Sequence, residues 1–312
     1  MNKSSTKHAT EKIVRNASPY HPENDILKEK KLKSRKVLAV FDGYKFSKST
    51  LEYAIQFTRQ ANAFLVGVFL DDSIYRSYNL LSALKSGKHA DKLIRELDAK
   101  DQEKRDATVR QFEKTCGKAG IHYTCHRNTG IAIQELKQES IFADLLVINN
   151  NETFNRVLDS PPTLFIKELL GGVQCPVIIV PGKYKPIDKI TLLYDGKPSS
   201  VFAIKMFSYL FGELTDSPVQ VFNVKDPMDG NHLPNNKLMR EFIKRHFPGA
   251  EYIVQKGEAK LQILTHLRYQ KGNELVVLGA YRRSEMSRWF KTSMADVLMK
   301  ELNTPLFIAH NK

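Results

Sequence analysis

The sequence predicts an α/β protein made of two tandem five-stranded parallel sheets with helices on both faces. Three observations predict it. Short apolar runs such as Val37-Leu38-Ala39-Val40-Phe41, Leu145-Leu146-Val147-Ile148 and Leu275-Val276-Val277-Leu278 have the unbroken hydrophobicity of strands buried on both faces. Helical spacing fills the stretches between such runs, the alternation that gives a parallel sheet with right-handed crossovers. The whole series then occurs a second time.

In the first copy, Lys36 to Phe41 is a strand ending at Asp42-Gly43. Ser47 or Ser49 can cap the next helix, where Leu51, Ala54, Ile55 and Thr58 keep helical spacing. Ala63 to Leu70 is a second strand. Residues 71–87, with Ile74, Tyr75, Tyr78, Leu80, Leu81 and Leu84, read as a helical cover over the sheet edge or a partner-binding segment. Asp91 to Lys118 is a charged helix with a narrow stripe of Leu93, Leu97, Val109 and Phe112. A third strand covers Ile121 to His126, Asn128-Thr129-Gly130 reads as a turn, and Ile131 to Ser140 as a helix. Ala143 to Ile148, a helix from Thr163 to Leu170 behind Pro161-Pro162, and Pro176 to Val180 complete the copy.

After a Pro- and Lys-containing connection the pattern restarts. Lys189 to Gly196 repeats Lys36 to Gly43: a basic residue, an apolar strand, then Asp-Gly. Val201–Phe211, Val219–Val224, Lys237–Phe247, Glu251–Gln255 and Ala259–Tyr269 follow in the same order. Leu275–Leu278 aligns with Leu145–Ile148, Lys300-Glu301-Leu302 with Lys167-Glu168-Leu169, and Thr304–Ala309 with Cys175–Val180. The expected divisions are a basic arm over 1–35 without regular structure, a first domain over 36–182, a linker over 183–188 and a second domain over 189–312.

Composition bounds the function. The chain of 312 residues carries 48 basic against 34 acidic residues, a formal charge of +14. That balance favours anionic partners: nucleotides, nucleic acid or a membrane surface. Much of the excess sits in Lys28-Glu29-Lys30-Lys31-Leu32-Lys33-Ser34-Arg35-Lys36, so nucleic-acid contact is expected only through this arm. No apolar run is long enough for a transmembrane helix, and Met1 to Lys7 has no apolar signal core, so a cytoplasmic location is expected. Cys116, Cys125 and Cys175 are too few and too scattered for a disulfide framework or a zinc site.

Taken in order and twice over, these motifs resemble the universal stress protein family in its tandem form. The strand ending in Asp-Gly and its following Ser-containing helix resemble the start of such a domain. The fourth strand, its loop, a Thr/Ser at a helix start and a final Cys/Thr-Pro-Val/Leu strand resemble its end. The resemblance covers roughly residues 36–181 and 189–312. It implies strand order 3-2-1-4-5 and association of the two final strands, Pro176–Val180 and Pro305–Ala309, into an intramolecular pseudo-dimer. Homodimerisation of the whole chain is a further option. The family's nucleotide-binding members hold ATP with an Asp after the first strand and a Gly-x-x-Gly-x9-Gly-Ser/Thr loop after the fourth.

In the second copy Asp195 and Gly196 match the first-strand motif, and Gly279 and Ser293 match the first glycine and the hydroxyl. Arg282 stands at the second glycine and Thr292 at the third. Arg282, Arg283, Arg288 and Lys291 make the loop basic, so guanidinium contacts can replace lost backbone contacts to phosphate. The resemblance therefore implies a degenerate site for ATP, ADP or AMP, with Mg only if a triphosphate binds. In the first copy Asp42 and Gly43 are kept, but Asn149-Asn150-Asn151-Glu152 replaces the loop. Glu152 and Asp159 oppose phosphate, the loop reads about three residues longer, Ser160 is the candidate hydroxyl, and Pro161-Pro162 removes two N–H donors. No ATP is expected there.

Walker A, GxGxxG, HExxH and GxSxG patterns are absent from the sequence, and no catalytic residue or metal ligand set stands out. The expected function is a stress-response binding or regulatory protein without turnover. A nucleotide-free interaction module with an unknown protein partner and a weak ATPase are the alternatives.

Overall fold

The computed structural model describes residues 35–43, 45–72, 90–155, 159–212, 217–280 and 293–311. The described residues form strands β1 (Lys36–Asp42), β2 (Phe64–Asp72), β3 (Tyr123–Gly130), β4 (Leu145–Asn149) and β5 (Val177–Val180), then β6 (Lys189–Leu193), β7 (Val219–Lys225), β8 (Glu251–Lys256), β9 (Glu274–Gly279) and β10 (Leu306–Ala309). Helices α1 (Lys48–Gln60), α2 (Ala90–Ala119), α3 (Ala132–Ile141) and α4 (Leu164–Gly172) belong to the first half. Helices α5 (Pro198–Phe211), α6 (Asn236–His246), α7 (Ala259–Tyr269) and α8 (Met294–Glu301) belong to the second. The basic arm up to residue 34 and most of the 71–87 cover lie outside the described residues. Among the described residues, no helix is long and apolar enough to cross a membrane.

The strands join in one sheet ordered β3-β2-β1-β4-β5-β10-β9-β6-β7-β8. Each half has the expected 3-2-1-4-5 order with parallel neighbours. The halves meet where β10 runs antiparallel to β5, with Leu306 opposite Ile179, Phe307 opposite Ile178 and Ile308 opposite Val177. The two expected sheets are thus one, and neither final strand leaves an open edge.

Alternate strand residues feed two cores. Val37, Ala39 and Phe41 face the layer of α1, α2, α5 and α6, while Leu38 and Val40 face α3, α4, α7 and α8. Burial on both faces explains the unbroken apolar runs. The first core crosses between halves: the Phe57 ring of α1 and the Phe211 ring of α5 lie 5.4 Å apart, and within the second half Phe207 meets Phe307 edge-on at 5.2 Å. Arg35 adds a polar tie. Its guanidinium donates to Ala61 O at the end of α1 and to Leu210 O and Tyr209 O in the last turn of α5, at 3.3, 3.1 and 2.7 Å. A cation at two helix C-termini is favoured by both macrodipoles.

One local reading changes. Asn128-Thr129-Gly130 is not a turn but the end of β3, paired with Leu70, Asp71 and Asp72. β2 runs on to Asp72 and supplies ladder partners, which outweighs the turn preference of those residues. The connection between halves is pinned: Tyr184 packs edge-on against buried Tyr53 at 4.7 Å, and Asn273 Nδ2 donates to Tyr53 Oη and to Lys185 O at 3.0 and 2.8 Å.

Candidate functional site

Strand order reverses between β1 and β4 and again between β6 and β9. At such switch points an open α/β sheet leaves a crevice beyond the strand carboxyl ends. Both Asp-Gly motifs sit there.

In the second half Asp195 follows β6 and is exposed. Its Oδ1 accepts from Ser200 Oγ at 2.7 Å and from the Lys197 backbone N–H at 3.0 Å. The neighbouring Oδ2 faces the Lys197 ammonium at 3.5 Å, with the Lys197 side chain 70% exposed and that of Asp195 52%. Gly196 turns the chain at φ +81°, a left-handed conformation in which a Cβ would also meet Pro234 Cβ at 2.7 Å. The chain then enters α5 with Pro198 in the first turn. Gly279 ends β9 directly against that helix start: a Cβ there would lie 2.3 Å from Ser199 O. This glycine therefore lets β9 and α5 approach each other. Ser293 caps α8: its Oγ accepts from Asp296 N at 3.1 Å, and Asp296 Oδ2 accepts from Ser293 N at 3.1 Å. Arg282, Arg283 and Thr292 lie outside the described residues, as do Arg288, Trp289 and Lys291.

The first half fills the equivalent place with its own side chains. Asn149 stands where Gly279 does, opposite Val180 as Gly279 is opposite Ala309. Its Nδ2 donates to Ser47 Oγ at 3.3 Å and to Pro181 O at 3.4 Å, and its Oδ1 accepts from Asn151 N at 3.0 Å. Ser49 Oγ donates to the same Pro181 carbonyl at 2.6 Å. Ser47 is the α1 N-cap, as expected for one of the two serines. The hydroxyl that starts α4 is Thr163, three residues beyond exposed Ser160: Thr163 Oγ1 accepts from Ile166 N at 3.2 Å and donates to Glu152 O at 2.6 Å. Fourteen positions separate Asn149 from Thr163, as they separate Gly279 from Ser293, so this loop is not three residues longer. The extra three residues lie instead between Asp42-Gly43 and α1. Asp159 Oδ2 accepts from Leu164 N at 2.8 Å, so the protein's own carboxylate occupies the anion-favouring start of α4.

Asp42 and Gly43 are buried. Glu152 is buried beside Asp42, and burial first, then the Asp42 charge, pushes its carboxyl up to about 8, with Lys45 opposing. Burial therefore favours the neutral form of Glu152. A small cleft of about 90 Å³ remains beyond β2 and β3, lined by Gly43, Asp71, Gln102, Arg105 and Arg127, and the Asp71–Arg105 pair at 2.8 Å spans it.

A second polar cluster lies within the other core of the second half. Gln220 Nε2 donates to Thr191 Oγ1 at 2.5 Å and to Glu274 Oε1 at 2.9 Å, and lies 2.7 Å from His266 Nε2. Thr191 also bonds Glu274. Burial raises the Glu274 carboxyl; burial, then Lys189, lowers His266. Among the described residues, no group of three or more His, Cys, Asp or Glu is placed to hold a metal ion.

The class defined by this architecture is an α/β tandem whose halves share one pseudo-symmetric sheet. The fold is that of tandem universal stress proteins. A universal stress protein from Archaeoglobus fulgidus matches with a TM-score of 0.64 at 13% identity, over 89% of this chain and 97% of that one. A functionally unknown protein from Pseudomonas aeruginosa PAO1 matches with a TM-score of 0.56 at 11% identity, over 88% of this chain and 92% of that one. At such identities the likeness is one of fold. No protein-family model and no curated protein matches the sequence.

Proposed function

We propose that this chain is a stress-response binding protein that takes one adenine nucleotide in its second half and none in its first. The observation that carries this reading is the contrast between the two switch points. In the second half the Asp195 carboxylate is exposed beside Gly196 and the start of α5. In the first, Asn149 and Glu152 stand where the second half has Gly279 and Arg282, and the Asp159 carboxylate accepts from the start of α4. Asp195, Gly196, Gly279 and Ser293 frame the nucleotide. Arg282, Arg283 and Thr292, which the sequence puts in the same loop, are assigned to its phosphates, with Mg joining only for a triphosphate. Its role is binding rather than turnover. Because β5 and β10 already pair within the chain, a homodimer would have to use another surface.

Calorimetry with ATP, ADP and AMP tests this reading. One equivalent is expected, lost in Asp195→Ala combined with Arg282→Ala. Absence of heat at high nucleotide concentration overturns the reading, and binding that survives the double substitution moves the site elsewhere. Phosphate release in the presence of Mg would favour the weak ATPase instead.

A further inference from the structure

Resting on that reading, we infer that Lys197 makes the second-half site select ligands by their phosphate charge. The two oxygens of Asp195 differ. Oδ1 is committed to the Ser200 hydroxyl and the Lys197 backbone N–H, both at the start of α5. These bonds hold the carboxylate in place. Oδ2 carries the Lys197 ammonium, at the long distance of 3.5 Å and with both side chains more than half exposed. An exposed pair of this kind contributes little and is easily displaced. Asp195 Oδ2 is thus the acceptor open to an incoming donor, such as a sugar hydroxyl.

A ligand that takes Oδ2 releases the ammonium at the end of its flexible four-carbon stem. Lys197 immediately precedes α5, whose first turn touches the end of β9 at Gly279, so the freed cation stays at the mouth of the crevice. A ligand phosphate there compensates it. A neutral nucleoside displaces the same ion pair and offers no replacement, so it binds less well. The first half differs in sequence: Tyr44 follows Asp42-Gly43, and the next lysine, Lys45, donates to Asn155 O at 3.1 Å.

The test is calorimetric titration of the full chain with adenosine, AMP and ATP, in the wild-type protein and in Lys197→Met and Lys197→Arg. Affinity in the wild type should rise with phosphate number. In Lys197→Met the ATP affinity should fall roughly fivefold while adenosine binds as well or better, and Lys197→Arg should restore the gradient. If wild type binds but Lys197→Met keeps the same gradient, the role given to Lys197 is wrong while the site stands. If wild type binds none of the three, the site itself is wrong, and this inference goes with it. Circular dichroism of both variants checks that this exposed position leaves the fold intact.

Discussion

The two halves share strand order, helix order and the Asp-Gly motif, yet treat the same crevice in opposite ways. Where the second half ends β9 in Gly279 against the α5 backbone, the first ends β4 in Asn149, whose side chain ties α1 to the segment after β5. Where Asp195 is exposed, Asp42 is buried beside a carboxyl whose neutral form burial favours. The cores differ in the reverse sense. Leu38 and Val66 pack as hydrocarbons in the first half, while Thr191 and Gln220, at the same positions in the ladder, form a buried polar network with Glu274 and His266. A duplicated fold tolerates such divergence because the ladder and the apolar strand runs carry most of its stability, which leaves strand ends and loops free to change.

This contrast can be broken or sharpened by substitution. The largest effect is expected for Gly279→Val. A side chain there meets Ser199 backbone atoms at 2.3 and 2.4 Å, and backbone cannot rotate away. We expect a loss of about 3 kcal/mol or more, read from urea denaturation. At the matching first-half position, Asn149→Gly removes hydrogen bonds without a clash and should cost about 1 kcal/mol. Equal costs would show that the two strand ends are not packed differently.

Arg35→Ala comes next. It leaves three helix-end carbonyls without their cation, two of them in partly buried bonds and the third exposed, and should cost about 1–2 kcal/mol in thermal or urea unfolding. No change would mean that this tie between α1 and α5 is replaced by water without cost.

Glu152→Gln tests the closed first half through pH. Its carboxyl is raised from 4.5 to about 8 in the folded chain, so the folded state binds the extra proton. Stability from this group is fully present below about pH 4.5 and is lost as pH rises through about 8. The Gln variant, which cannot ionise, should flatten the stability profile across that window and exceed wild type at its alkaline end. Parallel profiles would show that Glu152 is not buried as described.

The smallest effects belong to a feature both halves kept. Lys137–Glu168 at 2.9 Å joins α3 to α4, and Arg268–Glu301 at 2.6 Å joins α7 to α8. The acids are equivalent and the pairs largely exposed, so breaking either should cost less than about 1 kcal/mol. A larger loss from either would reveal a load on the helix pairs that their exposure does not suggest.

Sequence periodicity carried the fold because strands buried on both faces leave unbroken apolar runs, and because the second copy fixes how the first is read. The β5–β10 junction was expected only from the family resemblance, which implied association of the two final strands. Detail at the strand ends was less legible. Ser160 and Thr163 are both hydroxyls near Pro161-Pro162, and only the bonds to Ile166 N and Glu152 O single out Thr163. Asp159 reads as a repelling charge until its bond to Leu164 N makes it a helix-start partner. Lys197 passes as an ordinary surface lysine until the two Asp195 oxygens are seen to have different partners. The polar residues Thr191 and Gln220 inside apolar strands were a visible signal of the second-half network, but their partners His266 and Glu274 come from distant segments.

The most direct test is the stoichiometry of ATP binding to the full chain, measured by calorimetry in the wild type and in Asp195→Ala. A single equivalent, lost or strongly weakened by Asp195→Ala, is predicted. Two equivalents, or one that Asp195→Ala leaves unchanged, would contradict the assignment of one open and one self-filled site.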